Sequence, residues 1–355
     1  MRNNLKEAVT INKWKLSRWM FVSFLFLLAL TGINSTVIRP HADLRKFIIN
    51  GYSQGTTYQV TYYAVDSIVS QKQTDSLLAS LDRSVSLYLP TSLICKFNSS
   101  AHGIAIDEPF LVLVKKAMEV NRNTNGCVDI TVKPLVDAWG FGVKKPDSFP
   151  DAVRVKNILK NVGPDKIWLQ GHFLHKKYPQ VQIDLNGIAQ GYAADLLGNL
   201  LESRHIYNYM TEIGGELRIR GHKPNGDPFK VGIEAVDGND IMPSPLRKTI
   251  TPGDGAVTTS GNYRKHLEAG GKQISHIMDP KTGYPIQNEM ISVTVWAKDA
   301  ITADGYDNGF MTMGLKQTLL FLARRTDIGA YVIYKKTDGA IADTVTNGFK
   351  GYQPN

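Results

Sequence analysis

Residues 181–195 read Val181-Gln182-Ile183-Asp184-Leu185-Asn186-Gly187-Ile188-Ala189-Gln190-Gly191-Tyr192-Ala193-Ala194-Asp195. Val181, Ile183 and Leu185 alternate with polar residues, so 181–185 reads as a strand. Asn186-Gly187 turns the chain, and Ile188 to about Ser203 reads as a helix. Tyr207 to Ile213 and Glu216 to Arg220 read as strands joined at Gly214-Gly215, a hairpin or bulge signal. A strand–turn–helix beside a hairpin sets an α+β reading.

The flanks extend it. Thr57-Tyr58-Gln59-Val60-Thr61-Tyr62-Tyr63 is rich in β-formers and reads as a strand. Leu77, Leu81, Val85 and Tyr88 share a helical face, and Pro90 predicts the end of that helix. Asp107-Glu108-Pro109 predicts a helix start, with acids and a proline in the first turn. Residues 143–165 read as a surface excursion with a short helix. Further strands are expected at 229–236, 255–260, 273–278, 291–297 and 329–335, and a helix at about 302–324. No internal repeat and no linker rich in Pro, Gly or Ser divides residues 46–355. The expectation is one α+β domain with mixed or antiparallel sheets and packed helices, in one body or two lobes with a cleft.

Ahead of it lies a different composition. Of the net charge of +9, +4 sits in residues 1–18 and +5 in all the rest, with no Lys/Arg run interleaved with aromatics. A nucleic-acid partner is therefore not supported. No charged residue stands between Arg18 and Arg39, and Trp19 to Leu30 is almost wholly apolar. A basic flank before such a run is the pattern of a secretory signal, or of an anchor if uncleaved. Residues 1–35 are thus expected to send the body out of the cytoplasm, to the periplasmic side of the inner membrane. Export would permit a disulfide between the two cysteines, Cys95 and Cys127, but nothing in their spacing favours one over two separate thiols.

Four segments are dense in Gly, Asp, Asn, Thr and His. They are Val128–Gly142, Asp184–Asp195, Glu212–Glu216, and a group made of Thr258–Tyr263, Ser275–Pro285 and Ala303–Asn308. Glycines at the start of the helix after Asp184 let a ligand approach the backbone, and amides there favour phosphate; such glycines also serve structure alone. His276 beside Ser275 and Asp279 either does chemistry or pairs with Asp279 to hold a turn set by Pro280 and Gly283. Asp304, near a helix start, either caps that helix or binds a hard cation. Tyr88 or Trp139 stacks on a flat ring or fills the core. Together these point to a phosphorylated, aromatic, nucleotide-like ligand with Mg²⁺.

The motifs Asp129-x-Thr131-x-x-Pro134-Leu135 with Trp139-Gly-Phe-Gly142, Gly187-Ile-Ala-x-Gly-Tyr-Ala-x-Asp195, Gly214-Gly-Glu216, Thr259-Ser-Gly-x-Tyr263 and Ser275-His-Ile-x-Asp-Pro-x-Thr-Gly283 occur in the order of one family. The chain resembles the ApbE family of FAD:protein FMN transferases, from about Gly55 to the C-terminal strand. The resemblance implies that FAD binds in a cleft, that Mg²⁺ bridges its pyrophosphate, and that FMN passes to a Thr or Ser hydroxyl of an exported or membrane redox subunit, releasing AMP. It implies catalytic roles for His276 and Asp304. It implies metal ligation by Asp304, the Ala189 carbonyl and Asn308, and flavin-site roles for Ser86, Tyr88 and Asn98. Asp129, Thr131, Asp184, Gly187, Glu216, Ser260 and Asp279 fall in its ligand-binding segments. Three residues depart from the family pattern: Gln190 stands where lysine is usual, and Asp307-Asn308 replaces the usual Ala-Thr.

Overall fold

Backbone hydrogen bonds join β1 (Arg45–Ser53) to β2 (Thr56–Ala64) through Gln54-Gly55, both with positive φ as a two-residue hairpin requires. The structure is a computed structural model and describes residues 44–351 except 144, 237–244, 263–265, 270–271 and 350. The expected signal or anchor at 1–35 and the motif residue Tyr263 lie outside the described residues. In β2, Tyr58, Val60, Tyr62 and Ala64 are buried on one face, the period-2 pattern that put this strand in the sequence.

In chain order there follow α1 (Gln71–Val85), α2 (Leu93–Ser99), β3 (Gly103–Ala105), α3 (Glu108–Asn123), α4 (Lys133–Ala138), α5 (Ala152–Leu159), β4 (Ile167–Gln170), β5 (Phe173–Lys176) and α6 (Asn186–Glu202). Then come β6 (Tyr209–Ile213), β7 (Glu216–Arg220), β8 (Val231–Glu234), β9 (Leu246–Ile250), β10 (Gly255–Gly261), β11 (His266–Ala269) and β12 (Lys272–Ser275). The chain closes with β13 (Met290–Ala297), α7 (Ala300–Leu322), β14 (Ile328–Lys335) and β15 (Ile341–Val345).

Eight strands form one sheet in the order β1-β2-β6-β7-β10-β13-β14-β15, and every neighbouring pair is antiparallel. The α+β expectation holds, and this sheet is purely antiparallel. Helix α6 packs on β6 and β7, α7 on β10 and β13, and the two helices pack on each other. On the opposite face Ile219, Val257 and Ile333 are covered by Val231, Ile233 and Ile250 of the β8–β9 hairpin, with Phe229 and Phe349. Apolar side chains thus lie on both faces of the sheet, and α6 and α7 are the elements that frame the site.

The helix starts follow local chemistry. Asp107 caps α3, its carboxylate accepting from Phe110 N–H, with Pro109 in the first turn. Such a cap is worth about 1 kcal/mol. Phe110, Leu113, Val114, Ala117 and Val120 then bury one face.

Two expectations are corrected. The first helix stops at Val85, not at Pro90, because Ser86 turns to extended backbone; Tyr88 leaves the helical face and is 69% exposed. Residues 181–185 join no strand of the sheet. Val181, Ile183 and Leu185 are buried as a strand's would be, but the Ile183 peptide is held by the Asn98 side chain in place of a neighbouring strand. Cys95 and Cys127 are free thiols.

Candidate functional site

The candidate site is built where α6 and α7 pack together beside β7 and β10. Gly191 lacks a Cβ, and one placed there would stand 2.3 Å from the Ala300 carbonyl oxygen and 2.6 Å from Asp304 Cβ. That absence lets the helices touch. The backbone N–H of Gly191 donates to the Asp304 carboxylate at 2.7 Å, deep in the protein. One turn further along α7, the Asn308 side-chain oxygen accepts from the Ser260 hydroxyl at 2.8 Å, and its Nδ2 lies 3.4 Å from the Gly187 carbonyl. Ala189 sits buried in the first turn of α6. Asp304, Asn308, Ser260 and Gly187, separated by up to 121 residues in sequence, therefore meet in one place, with Ala189 between Gly187 and Gly191 on α6.

Glu216 enters from the first position of β7. A Cβ on Gly214, which has φ +65°, would come within 3.0 Å of Gln190 Nε2 and Thr56 Cγ2 and 3.2 Å of Glu216 Oε2. The Gly214-Gly215 turn is thus a close approach of four elements. Glu216 Oε2 and Asp307 Oδ1 are buried without a hydrogen-bond partner.

Electrostatics make these orphans informative. Burial, then the charges of Asp304 and Asp307, push the Glu216 carboxyl well above its ordinary range. Burial and the Asp304 charge do the same to Asp307. Asp304 is pushed up to about 7 by burial, against the Gly191 hydrogen bond. Three buried carboxylates that repel one another, two with an unused oxygen, form an environment that a cation would relieve. Among the described residues no three His, Cys, Asp or Glu side chains form an all-protein metal cage. The carboxylates present are of the kind that magnesium takes, one or two together with substrate phosphates.

The other predicted residues are held by contacts of their own. Asp184 accepts from Asn186 N–H at 2.8 Å, fixing the turn into α6, and burial raises its carboxyl. Its own N–H donates to the Ile130 carbonyl at 2.7 Å, which ties the turn to the segment holding Asp129 and Thr131. Asp129 accepts from the Thr131 N–H at 2.8 Å and hydroxyl at 2.6 Å, and Thr131 Oγ1 accepts from Gly163 N–H at 2.7 Å. These two residues spend their polar atoms on the scaffold. Asn98 does likewise, clamping Ile183, while Ser86 Oγ accepts from Tyr88 N–H at 3.3 Å. His276 follows β12, half-buried, with the Phe141 ring edge-on at 6.3 Å. The indole N–H of Trp139 donates to the Gly283 carbonyl at 2.9 Å, joining the Trp139–Gly142 segment to the histidine's turn. Asp279 accepts from Lys281 N–H in that turn.

Asp195 closes the Gly187–Asp195 motif, but the sequence assigned it no role. Its carboxylate is buried where the two helices meet and accepts from the N–H groups of Ala300 and Ile301 at the start of α7. The available signal was its spacing four residues after Gly191, which puts both on one helix face.

Fold and site together define a class: antiparallel α+β proteins in which two packed helices bury carboxylates beside close-approach glycines. The ApbE family model matches residues 54–332. The FAD:protein FMN transferase of Vibrio cholerae serotype O1 is 35% identical over 346 residues, covering 94% of this chain and 98% of that protein. That of Haemophilus influenzae is 33% identical over 315 residues, 85% of this chain and 90% of its own. Among solved structures, the flavin transferase ApbE from Vibrio cholerae superposes with a TM-score of 0.78 at 34% identity, over 86% of this chain and 98% of that one. The apo form of the Pseudomonas stutzeri flavinyl transferase ApbE gives 0.77 at 29% identity, over 86% and 96%. The chain belongs to the ApbE family.

Proposed function

We propose that this protein transfers FMN from FAD to a threonine or serine hydroxyl of an acceptor protein, releasing AMP, with Mg²⁺ held by Asp304, the Ala189 carbonyl and Asn308. The observation that carries the metal assignment is the buried group Glu216, Asp304 and Asp307, where the charged neighbours acting on Glu216 are all carboxylates. When bound, the ion neutralises pyrophosphate oxygens and the charge that grows on departing AMP.

The chain's own residues supply the rest. The start of α6 at Gly187 brings backbone close to the pyrophosphate, where a Cβ would press on Asn308 Nδ2 at 2.9 Å. Ser260 orients Asn308 through its hydroxyl. His276, steadied by Phe141, takes the proton of the attacking hydroxyl or binds the phosphates; a base in that position is worth on the order of 10²–10⁴ in rate. Tyr88 offers an exposed ring to the flavin, and Ser86 shapes its loop. Asp129, Thr131, Asp184 and Asn98 hold the wall behind the site.

The basic flank and apolar run of residues 1–33 support export, with an exported or membrane redox subunit as acceptor. A fusion of residues 1–45 to a reporter active only outside the cytoplasm tests this, and an inactive fusion would reject it.

The activity test incubates the protein with FAD, Mg²⁺ and an acceptor fragment bearing an exposed threonine. Flavin fluorescence on the acceptor after denaturing electrophoresis is expected, and Asp304→Ala is expected to abolish it. Free FMN and AMP without labelled acceptor would replace transfer by hydrolysis, and unchanged FAD would leave only a flavin carrier.

A further inference from the structure

Helices α6 and α7 exchange contacts reciprocally. Gly191 N–H of α6 donates to Asp304 of α7 at 2.7 Å, and four residues on, Asp195 of α6 accepts from the first two N–H groups of α7. Asp195 Oδ1 takes Ala300 N–H at 2.9 Å and Oδ2 takes Ile301 N–H at 2.8 Å. Oδ1 also accepts from Arg218 Nη1 of β7 at 2.9 Å. Residues 191 and 195 on one helix thus face 304 and 300 on the other, each pair one turn apart. Asp195 is 5% exposed and its bonds run to two other elements of the fold.

This carboxylate is not needed merely to start α7. Asp299 already caps that helix from its own sequence, accepting from Thr302 N–H at 3.0 Å. What Asp195 adds is a fixed axial position of α7 against α6, and Asp304 rides on α7 one turn beyond the anchored amides. Arg218 ties the same carboxylate to β7, the strand that presents Glu216. The anchor therefore bears on Asp304 and Glu216 from one point.

We propose that Asp195 is a positioning residue for the metal site: by anchoring the first turn of α7, with Arg218 as its counter-charge, it sets the Asp304 carboxylate where it ligates a divalent ion. The proposal rests on the assignment of the ion to Asp304. Groups that orient a metal ligand typically contribute ten- to a hundredfold in affinity.

The test measures Mn²⁺ binding to the flavin-free protein by electron paramagnetic resonance of the unbound ion, alongside thermal melting. Wild type is expected to bind Mn²⁺ and Asp304→Ala to lose it; a wild type that does not bind overturns the ligand assignment and this inference with it. Asp195→Asn is expected to weaken Mn²⁺ binding by about tenfold or more. In turnover with FAD, its kcat at saturating Mg²⁺ should recover toward wild type, while the Mg²⁺ concentration for half-activity rises. Asp299→Ala removes the other cap and is expected to lower the melting temperature with Mn²⁺ affinity unchanged. Should Asp195→Asn not fold, Asp195→Ser keeps one acceptor for the α7 amides and is expected to give the same weakened binding. Wild-type Mn²⁺ affinity in the folded Asp195 variant, or the same loss of affinity in Asp299→Ala, would overturn the proposal.

Discussion

The Asn98 side chain holds the Ile183 peptide from both ends, Nδ2 donating to the carbonyl at 2.9 Å and Oδ1 accepting from the N–H at 2.7 Å. It does for residues 181–185 what a neighbouring strand does for a sheet. Asn98→Ala would leave both buried backbone groups unpaired, each costing about 1–3 kcal/mol. A loss of about 2–4 kcal/mol is expected in urea unfolding. A loss below about 0.5 kcal/mol, less than one ordinary hydrogen bond, would show that the clamp is dispensable.

Beside that clamp, Lys176 is buried, and its Nζ donates to the carbonyls of Asn98, Pro179 and Val181 at 3.0–3.2 Å. Burial pushes this ammonium down to about 8. Below that pH both folded and unfolded chains carry the proton, so this group adds no pH dependence. Between about 8 and the ordinary 10.5 the unfolded chain binds more protons, and its contribution to stability rises with pH. Relative to Lys176→Met, wild type should therefore gain stability across that window. Parallel unfolding curves for the two proteins at pH 7, 8, 9 and 10 would contradict this.

These two residues also mark the limit of what sequence patterning makes legible. Strand β2, the hairpin at Gly214-Gly215 and helix α3 are readable because period, turn glycines and an Asp-Glu-Pro start each carry their own local cause. The segment 181–185 has the same alternation as a strand, yet its partners come from Asn98 and Lys176, 85 and 5 residues away. No periodicity encodes a side-chain amide acting as a strand. The candidate site divides the same way. Asp304, Ala189, Asn308 and Ser260 stand out through the resemblance, and the structure brings Asp304, Asn308 and Ser260 to the start of α6, where Ala189 lies. That Asp307 is buried beside Asp304, and that Asp195 anchors α7, follow from a helix contact that only tertiary packing reveals.

The carboxylates of the site predict an unusual pH response. Asp304 is pushed up to about 7, and Glu216 and Asp307 are also raised. Between the ordinary carboxylate range and about 7 the folded protein binds more protons than the unfolded chain. Stability of the metal-free protein should therefore fall as pH rises through that window. Mg²⁺ should restore it at pH 7.5, and its affinity should drop below pH 7 as protons compete. Melting temperatures measured from pH 5 to 8, with chelator and with Mg²⁺, check both statements. A metal-free melting temperature that climbs from pH 5 to 8 would contradict the first.

Asp307 tests the repulsion within that group most directly. Asp307→Asn keeps the shape and removes one buried like charge from beside Asp304 and Glu216. The metal-free variant should melt above wild type at pH 8 and gain less at pH 5, because the raised carboxyl takes up protons as pH falls. Equal melting temperatures at pH 8 would mean that Asp307 carries no charge there.

Gly191 is where fold and site constrain each other most tightly. A methyl group at this position meets a backbone carbonyl at 2.3 Å and Asp304 Cβ at 2.6 Å, and the carbonyl cannot swing away as a side-chain tip can. Gly191→Ala must push α7 off α6, which stretches the bond from the residue 191 N–H to Asp304. Overpacking of this kind costs about 1–3 kcal/mol. Gly198, two turns along the same helix, gives the control. Its Cβ would meet the Tyr209 hydroxyl at 2.8 Å and Arg218 Cγ at 3.2 Å, both side-chain atoms and neither of them on α7. Gly198→Ala gains the same helix propensity and is expected to lose less stability. The decisive measurement is Mn²⁺ affinity in both variants, taken where each is fully folded. It should fall in Gly191→Ala and hold in Gly198→Ala, because only the first displaces the helix that carries Asp304.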